Sequence, residues 1–423
     1  MNTEYILKCL SCNSTFNDDG WIISCGHEHT ASLLRTEYSK KKLGLKSDRH
    51  GLYKYADWLP VNRFLEESTA PMTYKSKNLA KVLGLSNLYI VFNGYWPEIQ
   101  ANMTTGTFKE CEAYSACARI LPDSGKTLVV ASAGNSARAF AKVCSDNEIP
   151  LLLAVPETNL SSLWFEKKLN PCVKLVAVGK GCDYTDAIHL MELVCQMEEF
   201  FPGGGTKNIA RRDGIGTSVL SATSTIGAIP DYYFQAVGSG AGAIAAWEAN
   251  LRLMESNEYG RKKMKLMLSQ NAPFLLLYDS WKQRSRELVR RDETILKEQI
   301  RHIHARVLSN RHPPYSITGG LYDALDDLGG KIFSISNEEA IAAGALFKTA
   351  EGEDICPEAS VAVAALKKAS VNGYMEKDAI VVLNITGGGM ERFRTENPVS
   401  YPKPCTVFQK NDFDLNTIHK KLR

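Results

Sequence analysis

Short, uninterrupted apolar runs recur along the chain, and polar stretches with helical spacing separate them. The clearest runs lie at 127–132, 151–157, 173–179, 233–240 and 379–389. Strands that are buried on both faces of a parallel sheet read as continuous apolar runs, whereas half-exposed strands alternate. The pattern therefore predicts an α/β fold with open parallel sheets and right-handed crossovers.

The segments between and after these runs predict helices of different kinds. Residues 136–146, 161–170 and 185–200 have helical spacing and follow predicted strands. Residues 251–311 are basic, and their charges alternate in sign, which is typical of solvated helix faces. The tail after Pro398 is polar, and we expect a loosely docked extension there.

The first 50 residues have a different composition from the rest of the chain. They hold three of the 11 cysteines, and Cys9-x-x-Cys12 and Cys25-Gly-His27-Glu-His29 flank a turn at 18–20, which predicts a small ribbon. A zinc ribbon needs two close ligand pairs, and here the second pair is irregular. Whether Cys9, Cys12, Cys25 and His27 bind zinc stays open, and we expect an arm that packs on the body without metal.

Composition excludes several classes of protein. The chain has 423 residues, 44% of them hydrophobic and 23% charged, with a formal net charge of +3. Its apolar runs are far shorter than the roughly 20 residues of a membrane span, and its start lacks the pattern of a signal peptide. The odd number of scattered cysteines does not fit a disulfide scaffold. We expect a cytoplasmic protein that binds neither membrane nor nucleic acid.

A lysine follows a Thr-Thr-Gly-Thr turn in the segment 101–114. Lys109 opens a predicted helix, where the helix dipole disfavours a positive charge. A lysine held in a pocket there can act as an amine nucleophile that forms a Schiff base. The alternative is an ordinary exposed lysine.

Two further segments join a predicted strand to a predicted helix. At 132–135 the small residues Ser-Ala-Gly-Asn end a strand, so that backbone N–H groups at the helix start favour an anion. At 237–242 three glycines suit a phosphate in the same way. A dinucleotide-binding site requires an acidic residue about 20 positions later, at the end of the next strand. Glu258 lies at roughly that distance but not at the end of a predicted strand. Plain turns are the alternative for both segments.

The last predicted strand ends at a residue with a hydroxyl side chain. Thr386 precedes three glycines, and its side chain can hydrogen-bond a buried heteroatom. Taken together, the four segments match one cofactor, pyridoxal phosphate. They offer a lysine for its aldehyde, a glycine loop for its phosphate, an asparagine for its phenolic oxygen and a hydroxyl for its ring nitrogen.

Over roughly residues 60–395 the sequence resembles the fold-type II pyridoxal-phosphate enzymes, and most closely the threonine synthases. The segments TTGTFK at 104–109, SAGN at 132–135 and VGSGAG at 237–242 are similar to that family's motifs. The resemblance implies that Lys109 is the Schiff-base lysine, that Asn135 contacts the phenolic oxygen and that Thr386 contacts the pyridine nitrogen. It implies a phosphate-binding loop made by Gly238, Ser239, Gly240, Ala241 and Gly242. It also implies a loop that binds the substrate carboxylate, made by Ser132, Ala133 and Gly134.

The resemblance also implies an architecture. We expect two open, twisted, parallel-sheet domains of the tryptophan synthase β-like type, in a homo-oligomer. The expected parts are an N-terminal arm at 1–50, a large cofactor-binding domain at 51–120 and 205–395, a small α/β domain at 121–204, and a C-terminal extension at 396–423.

Departures from the threonine synthase pattern concern the substrate. Glu110 and Cys111 stand where that family has Asp and Arg, while Ile209 and Gly216 replace its proline and lysine. The whole pattern resembles archaeal relatives of threonine synthase that replace the phosphate of O-phospho-L-serine with sulfite in coenzyme M biosynthesis. Because both substrates are anions, cationic side chains should line the pocket. Lys207 and Arg211 are the candidates, with Arg212 beside them.

Three alternatives stay open at this point. The nearest is a threonine synthase that acts on O-phosphohomoserine, or another pyridoxal-phosphate-dependent β-replacement enzyme. The second is a regulatory protein that senses a nucleotide or sugar phosphate through the glycine loop. The third is a zinc-dependent nucleic-acid-binding module built on the N-terminal arm.

Overall fold

A computed structural model of the protein describes residues 4–122, 124–132 and 134–422. The strands among these residues are β1 (Tyr5–Cys9), β2 (Thr15–Phe16), β3 (Leu34–Tyr38), β4 (Met72–Lys75), β5 (Asn87–Phe92), β6 (Tyr95–Trp96), β7 (Ala101–Asn102), β8 (Thr127–Ala131), β9 (Leu151–Pro156), β10 (Val173–Val178), β11 (Phe200–Pro202), β12 (Tyr232–Ala236), β13 (Lys265–Asn271), β14 (Lys331–Ile335), β15 (Ile380–Ile385) and β16 (Thr406–Phe408).

The helices lie mostly between the strands of the two large sheets. They are α1 (Asn78–Leu83), α2 (Lys109–Arg119), α3 (Asn135–Asp146), α4 (Tyr184–Val194), α5 (Ile209–Ile226), α6 (Ala241–Ser256), α7 (Leu276–Lys282), α8 (Glu293–His302), α9 (Leu321–Asp327), α10 (Asn337–Glu351), α11 (Pro357–Val371), α12 (Met390–Glu396) and α13 (Leu415–Leu422). Short 3₁₀ helices lie at Gly51–Trp58, Pro97–Ile99, Glu157–Ser162, Gly205–Lys207 and Lys410–Asp412.

The larger sheet has six strands in the order β14-β13-β12-β15-β5-β4. All neighbours in it run parallel except β4, which pairs antiparallel with β5 at one edge. Helix α11 packs across β12, β13 and β15, and α5 and α6 pack against each other. The central strands of this sheet are buried on both faces, which explains their continuous apolar sequences.

The smaller sheet has five parallel strands in the order β11-β8-β9-β10-β16. Its last strand comes from the C-terminal tail, because Val176–Val178 of β10 pair with Thr406–Phe408 of β16. In the same tail α13 packs on α4 and buries Ile418. Our expectation of a loosely docked extension is therefore wrong. A three-residue strand gives no periodic signal that sequence analysis can use.

The N-terminal arm is a three-stranded antiparallel ribbon in the order β2-β1-β3. It packs on the body through β3, where the Thr36 and Tyr38 hydroxyls both donate to Asp213 of α5 at 2.7 Å. Asp18 in the loop after β2 forms an ion pair with Arg119 at the end of α2, with an N–O distance of 2.5 Å. The ribbon therefore braces the two helices α2 and α5.

Two sequence-based assignments of helix are wrong. The stretch 251–311 contains the buried strand β13 between its helices, because its apolar core KLMLSQN is short and the flanking charges dominate the pattern. Residues 161–170 contain only the end of the 3₁₀ helix Glu157–Ser162 and an irregular segment, in which Trp164 and Phe165 are buried and Phe165 pairs with Ser400. No helix within the described ranges combines the length and the apolar character needed to cross a membrane.

Candidate active site

Lys109 and Thr386 lie on two segments that pair through their backbones at the carboxyl edge of the larger sheet. The Phe108 N–H donates to the Thr386 carbonyl at 3.0 Å, and the Gly388 N–H donates to the Gly106 carbonyl at 3.0 Å. Because Thr386 directly follows β15, this pairing fixes the start of α2 beside the strand end. Ligands of open α/β sheets bind at this edge.

Gly106 makes the turn before Lys109 possible. Its φ is +71°, a left-handed conformation that favours glycine, and a Cβ there would lie 2.4 Å from the Met390 Cγ atom. The turn is held from the other side by Glu110, which is fully buried. Its carboxylate accepts from the Thr105 N–H at 3.0 Å, the Thr105 hydroxyl at 2.7 Å and the Thr69 hydroxyl at 2.8 Å.

The predicted phosphate loop joins β12, the neighbour of β15, to α6. Gly240 has φ +85° and immediately precedes the 16-residue helix α6, so the first N–H groups of that helix point out of its end. Phe108 packs against a small buried cluster that includes Ala241, and this contact places the loop beside Lys109. The Leu308 backbone covers Gly238, where a Cβ would lie only 3.1 Å from the Leu308 Cα atom.

The other two members of the loop have local roles as well. The Ser239 hydroxyl accepts from the Ala241 N–H at 3.4 Å. A Cβ at Gly242 would lie 2.2 Å from the Gln235 Nε2 atom, so glycine there makes room for the Gln235 side chain. Gln235 in turn accepts from the Asn384 side chain at 2.8 Å, which ties the loop to β15.

Asn135 is the first residue of α3 and faces the larger domain. Its side-chain amide donates to the Glu358 carboxylate at 2.7 Å. Ser132 supports this helix start, because its hydroxyl accepts from the Gly134 N–H at 3.2 Å and from the Ala137 N–H at 3.0 Å. Ala133, which we predicted to be a substrate-binding residue, lies outside the described residues.

Arg138, which the sequence analysis did not single out, connects α3 to the lysine segment. Its Nε and Nη2 atoms donate to the Thr105 carbonyl at 2.9 and 2.7 Å, and Nη1 donates to the Ser162 carbonyl at 2.9 Å. Burial lowers the pKa of Arg138 to about 10, although the nearby Glu358 carboxylate opposes this shift. Since its hydrogen-bond partners among the described residues are all neutral groups, Arg138 adds a buried positive charge to this part of the site without a directly bonded counterion.

Glu112 is the counterion of the candidate catalytic lysine. One of its carboxylate oxygens accepts from the Lys109 Nζ atom at 2.5 Å, and the other lies 2.5 Å from the Arg211 Nε atom. Burial alone would raise the pKa of Glu112, but the cations of Arg211 and Lys109 outweigh burial and hold that pKa below its usual value. An acidic residue in the first turn of α2 is the sequence signal that points to Glu112.

The predicted substrate cations have different surroundings. Arg211 is buried and pairs with Glu112, so the structure brings it next to Lys109. Lys207 is exposed on the 3₁₀ turn before α5. Arg212 pairs with the buried Glu248, at 2.9 Å from its Nε atom, and also donates to the Leu34 carbonyl of the ribbon. Arg212 therefore stabilises the fold at the contact between the ribbon and α5.

The site offers what pyridoxal phosphate requires. The amine of Lys109 has a side chain that is only 20% exposed, and the end of α6 presents backbone N–H groups suited to a phosphate. In addition, the buried Thr107 hydroxyl beside Gly387 has no hydrogen-bond partner within the described part of the chain. A buried orphan hydroxyl fits a polar ligand that binds here.

Comparison with known proteins decides the family. The family model described as pyridoxal-phosphate dependent enzyme matches residues 74–387. The chain belongs to this family of pyridoxal-phosphate-dependent enzymes. Membership confirms the predicted cofactor, and it confirms that the protein is an enzyme with small-molecule substrates.

Curated relatives match over nearly the whole chain. The chain is 43% identical over 416 residues to a cysteate synthase of Methanosarcina mazei, an alignment that covers 98% of this chain and 99% of the relative. It is 43% identical over 421 residues to a cysteate synthase of Methanocella paludicola, which covers 99% of this chain and 97% of the relative.

Two solved structures with low sequence identity share the fold of this chain. The processed form of threonine deaminase isoform 2 from Solanum lycopersicum matches with a TM-score of 0.57 at 15% identity, over 77% of this chain and 86% of that chain. Serine racemase from Dictyostelium discoideum matches with a TM-score of 0.53 at 16% identity, over 75% of this chain and 91% of that chain. These similarities confirm the predicted α/β fold-type II architecture.

Proposed function

We propose that the protein converts O-phospho-L-serine and sulfite to L-cysteate and phosphate, a reaction of coenzyme M biosynthesis. The observation that carries this proposal is the match, at 43% identity and over 98% of the chain, to a protein named cysteate synthase. The lysine, the glycine loop and the strand-end hydroxyl that the chemistry needs all lie at one edge of the larger sheet.

The proposed reaction is a replacement at the β-carbon without net oxidation or reduction. The bond between the β-carbon and the phosphate oxygen breaks, and the sulfur lone pair of sulfite forms the new carbon–sulfur bond. Pyridoxal phosphate, when bound, supplies an electron sink that makes the α-proton of the substrate acidic. Lys109, Asn135, Gly238 to Gly242 and Thr386 would hold it.

Lys109 is the base that we assign to the α-proton. Once its amine has released the cofactor aldehyde, it can take the α-proton and later return it to the same carbon. The Glu112 carboxylate then accepts a hydrogen bond from the lysine ammonium, as it does in this structure. Arg211 pairs with the other oxygen of Glu112, so an ionised hydrogen-bond acceptor is in place at the step where the lysine holds the proton.

Both substrates carry negative charge, and the site has buried cationic and backbone N–H groups that could receive them. Arg138 is a buried cation with carbonyl partners, and the start of α3 beside Asn135 presents backbone N–H groups. We assign the substrate carboxylate to the loop of Ser132, Ala133 and Gly134. Lys207 and Arg211 stay our proposals for contacts to the anionic groups of the substrates.

A neutral hydroxyl at Thr386 suits an elimination and replacement reaction. A hydroxyl beside the ring nitrogen would not force that nitrogen to be protonated, and a cofactor with a neutral ring would favour elimination over transamination. In the elimination the departing phosphate takes the electrons instead. The structure supports this assignment, because the Thr386 backbone accepts from Phe108, directly beside Lys109.

The test is an assay of the purified holoenzyme with each phospho-amino acid, with and without sulfite. We expect cysteate and free phosphate only when O-phospho-L-serine and sulfite are both present. Formation of threonine from O-phosphohomoserine, without cysteate from the other pair, would overturn the proposal in favour of threonine synthase. Holoenzyme reduced with borohydride is the matched control, because its lysine is blocked while the fold is kept.

We also propose a cytoplasmic location and a homo-oligomer. All cysteines are free thiols, which suits a reducing compartment. Exposed apolar side chains lie on α1, α10 and the end of α11, which pack together, and they offer a surface for a second copy: Val82, Ile341 and Val371. Sedimentation analysis of the holoenzyme tests the assembly, and a monomer at all concentrations would contradict it.

A further inference from the structure

Three thiols and one imidazole converge at the tip of the N-terminal ribbon. Cys9 ends β1 and Cys12 lies in the turn to β2, whereas Cys25 and His29 come from the long loop before β3. The four potential ligand atoms all lie within 4.8 Å of one another. The ribbon thus brings together two pairs of ligands that are far apart in the sequence.

The distances within this cluster are those of a tetrahedral metal site. The Cys12 and Cys25 sulfurs are 3.7 Å apart, and the Cys9 sulfur is 3.3 Å from the His29 Nε2 atom. Zinc–sulfur bonds of about 2.3 Å at tetrahedral angles give a sulfur–sulfur separation of about 3.8 Å. The side chains therefore need little movement to bind one ion.

The hydrogen bonds around the cluster prepare His29 for this role. Its Nδ1 atom lies 2.7 Å from the Thr30 carbonyl, which can only accept, so Nδ1 carries the proton and Nε2 presents a lone pair. Zinc-binding histidines are oriented by this kind of contact. The His27 N–H also donates to the Cys25 sulfur at 3.5 Å.

The fourth ligand differs from the sequence expectation. The Nδ1 atom of His27 lies 3.1 Å from the Ser14 hydroxyl and 3.7 Å from the Cys12 sulfur alone, whereas the ligand atoms of His29 and the three cysteines all lie within 4.8 Å of one another. Our sequence-based set contained His27, and sequence alone cannot rank it against His29, which lies two positions later in the same irregular loop. Only the path of that loop shows which imidazole has its ligand atom near all three sulfurs.

We propose that Cys9, Cys12, Cys25 and His29 bind one structural Zn²⁺ ion. A site with three thiolates and one imidazole is closed by protein ligands, which is typical of structural rather than catalytic zinc. This proposal replaces our expectation of an arm without metal. It is independent of the proposed reaction, since it concerns the ribbon alone.

The ion would fix the loop that braces the catalytic helix. The segment between Cys12 and Cys25 contains Asp18 and Ile22, and both contact Arg119 at the end of α2. Apart from the short strand β2, the described part of this segment has no regular secondary structure. Closing it between two pairs of metal ligands would hold Asp18 and Ile22 against the helix that begins with Lys109.

The test is the metal content of the purified holoenzyme by elemental mass spectrometry. We expect one zinc ion per chain, and cobalt substitution should give the visible absorption of a tetrahedral thiolate site. Cys12→Ser should lose most of the zinc, whereas Cys405→Ser should keep it, because Cys405 is also exposed but lies far from the ribbon. The bound cofactor absorbance of each variant reports separately on the fold of the main body.

A thiol titration of the wild-type chain keeps the proposal testable even if Cys12→Ser does not fold. We expect Cys9, Cys12 and Cys25 to react only after a chelator has been added. A zinc-free holoenzyme whose ribbon thiols react at once would overturn the proposal. A disulfide between Cys12 and Cys25 in the protein purified under reducing conditions would overturn it as well.

Discussion

The Lys109 ammonium lies 2.5 Å from a carboxylate oxygen of Glu112, one turn further along the same helix. The Glu112 side chain is only 4% exposed, so this carboxylate is shielded from water. A second cation, Arg211 from α5, completes the arrangement. The counterion of the base is therefore set by the packing of α2 on α5.

Glu112→Gln should destabilise the protein at neutral pH. The substitution leaves Arg211 buried without its counterion, and breaking a buried ion pair in this way costs about 3–5 kcal/mol. The free energy of unfolding in urea measures the effect. Glu255→Gln is the control, because Glu255 forms an exposed pair with Lys41. Equal stability of the wild type and Glu112→Gln would contradict the assignment.

The stability difference between wild type and Glu112→Gln should depend on pH. The folded-state pKa of Glu112 is lowered, so its contribution is fully present above the unfolded-state value of about 4.3. It is lost as the pH falls through the folded-state pKa. We expect the difference to shrink below about pH 4, and a difference that grows in acid would have the wrong sign.

Lys109→Ala should abolish turnover and the yellow absorbance of the bound cofactor. General base catalysis alone contributes about 10²–10⁴-fold, and the attachment of the cofactor is lost as well. Lys81→Ala is the matched control, since Lys81 is an exposed lysine on α1. Steady-state assays and absorbance spectra check both variants, and turnover retained by Lys109→Ala refutes the lysine assignment.

Two glycines of α5 provide a matched test of helix packing. A Cβ at Gly214 would lie 2.3 Å from the Cys111 carbonyl oxygen of α2, whereas at Gly216 the nearest atom, the Ala245 carbonyl oxygen, is 3.4 Å away. Gly214→Ala should destabilise the protein by about 1–3 kcal/mol, because the added methyl group clashes with the Cys111 carbonyl and pushes α5 away from α2. Gly216→Ala should be neutral or stabilising by up to about 1 kcal/mol, because alanine favours helices.

Thermal unfolding of the two glycine variants distinguishes the outcomes. We expect Gly214→Ala to lower the melting temperature and also the activity, because α5 carries Arg211. The same melting temperature for both variants would show that the close approach of α2 and α5 does not constrain the helix pair.

Asp18→Asn should loosen the ribbon from the body. Asp18 and Arg119 form a buried pair through two short contacts, at 2.5 and 2.7 Å. Removing the charge leaves the Arg119 guanidinium without a counterion, at a cost of about 3 kcal/mol in unfolding free energy. Asp48→Asn, at an exposed position, should have no measurable effect. Limited proteolysis should cut the ribbon faster in Asp18→Asn only.

The strands that the sequence predicts correctly are those buried on both faces. The runs at 127–132, 151–157 and 173–179 become β8, β9 and β10 almost residue for residue. The central strand β13 was missed because its buried sequence ends in Ser-Gln-Asn and lies within a basic region. The hydrophobic pattern depends on the residues of the segment alone, whereas the secondary structure also depends on which distant elements bury that segment.

Some residues of the candidate site can be found from local sequence patterns, and others cannot. Lys109, Asn135, the glycine loop and Thr386 each follow a strand or open a helix, so local patterns point to them. Arg138 has no such local signal, and Glu112 shares its first-turn signal with Glu110. The roles of Arg138 and Glu112 depend on partners that are remote in the sequence, such as Arg211 for Glu112. Only the packing of α2, α3 and α5 brings these charges together.

The most direct test of the account is to reduce the purified holoenzyme with borohydride and map the modified peptide by mass spectrometry. Reduction converts the imine between the cofactor and its lysine into a stable amine. We expect a single pyridoxyl group on Lys109, together with loss of the yellow colour. A colourless protein, or a pyridoxyl group on a different lysine, would contradict it.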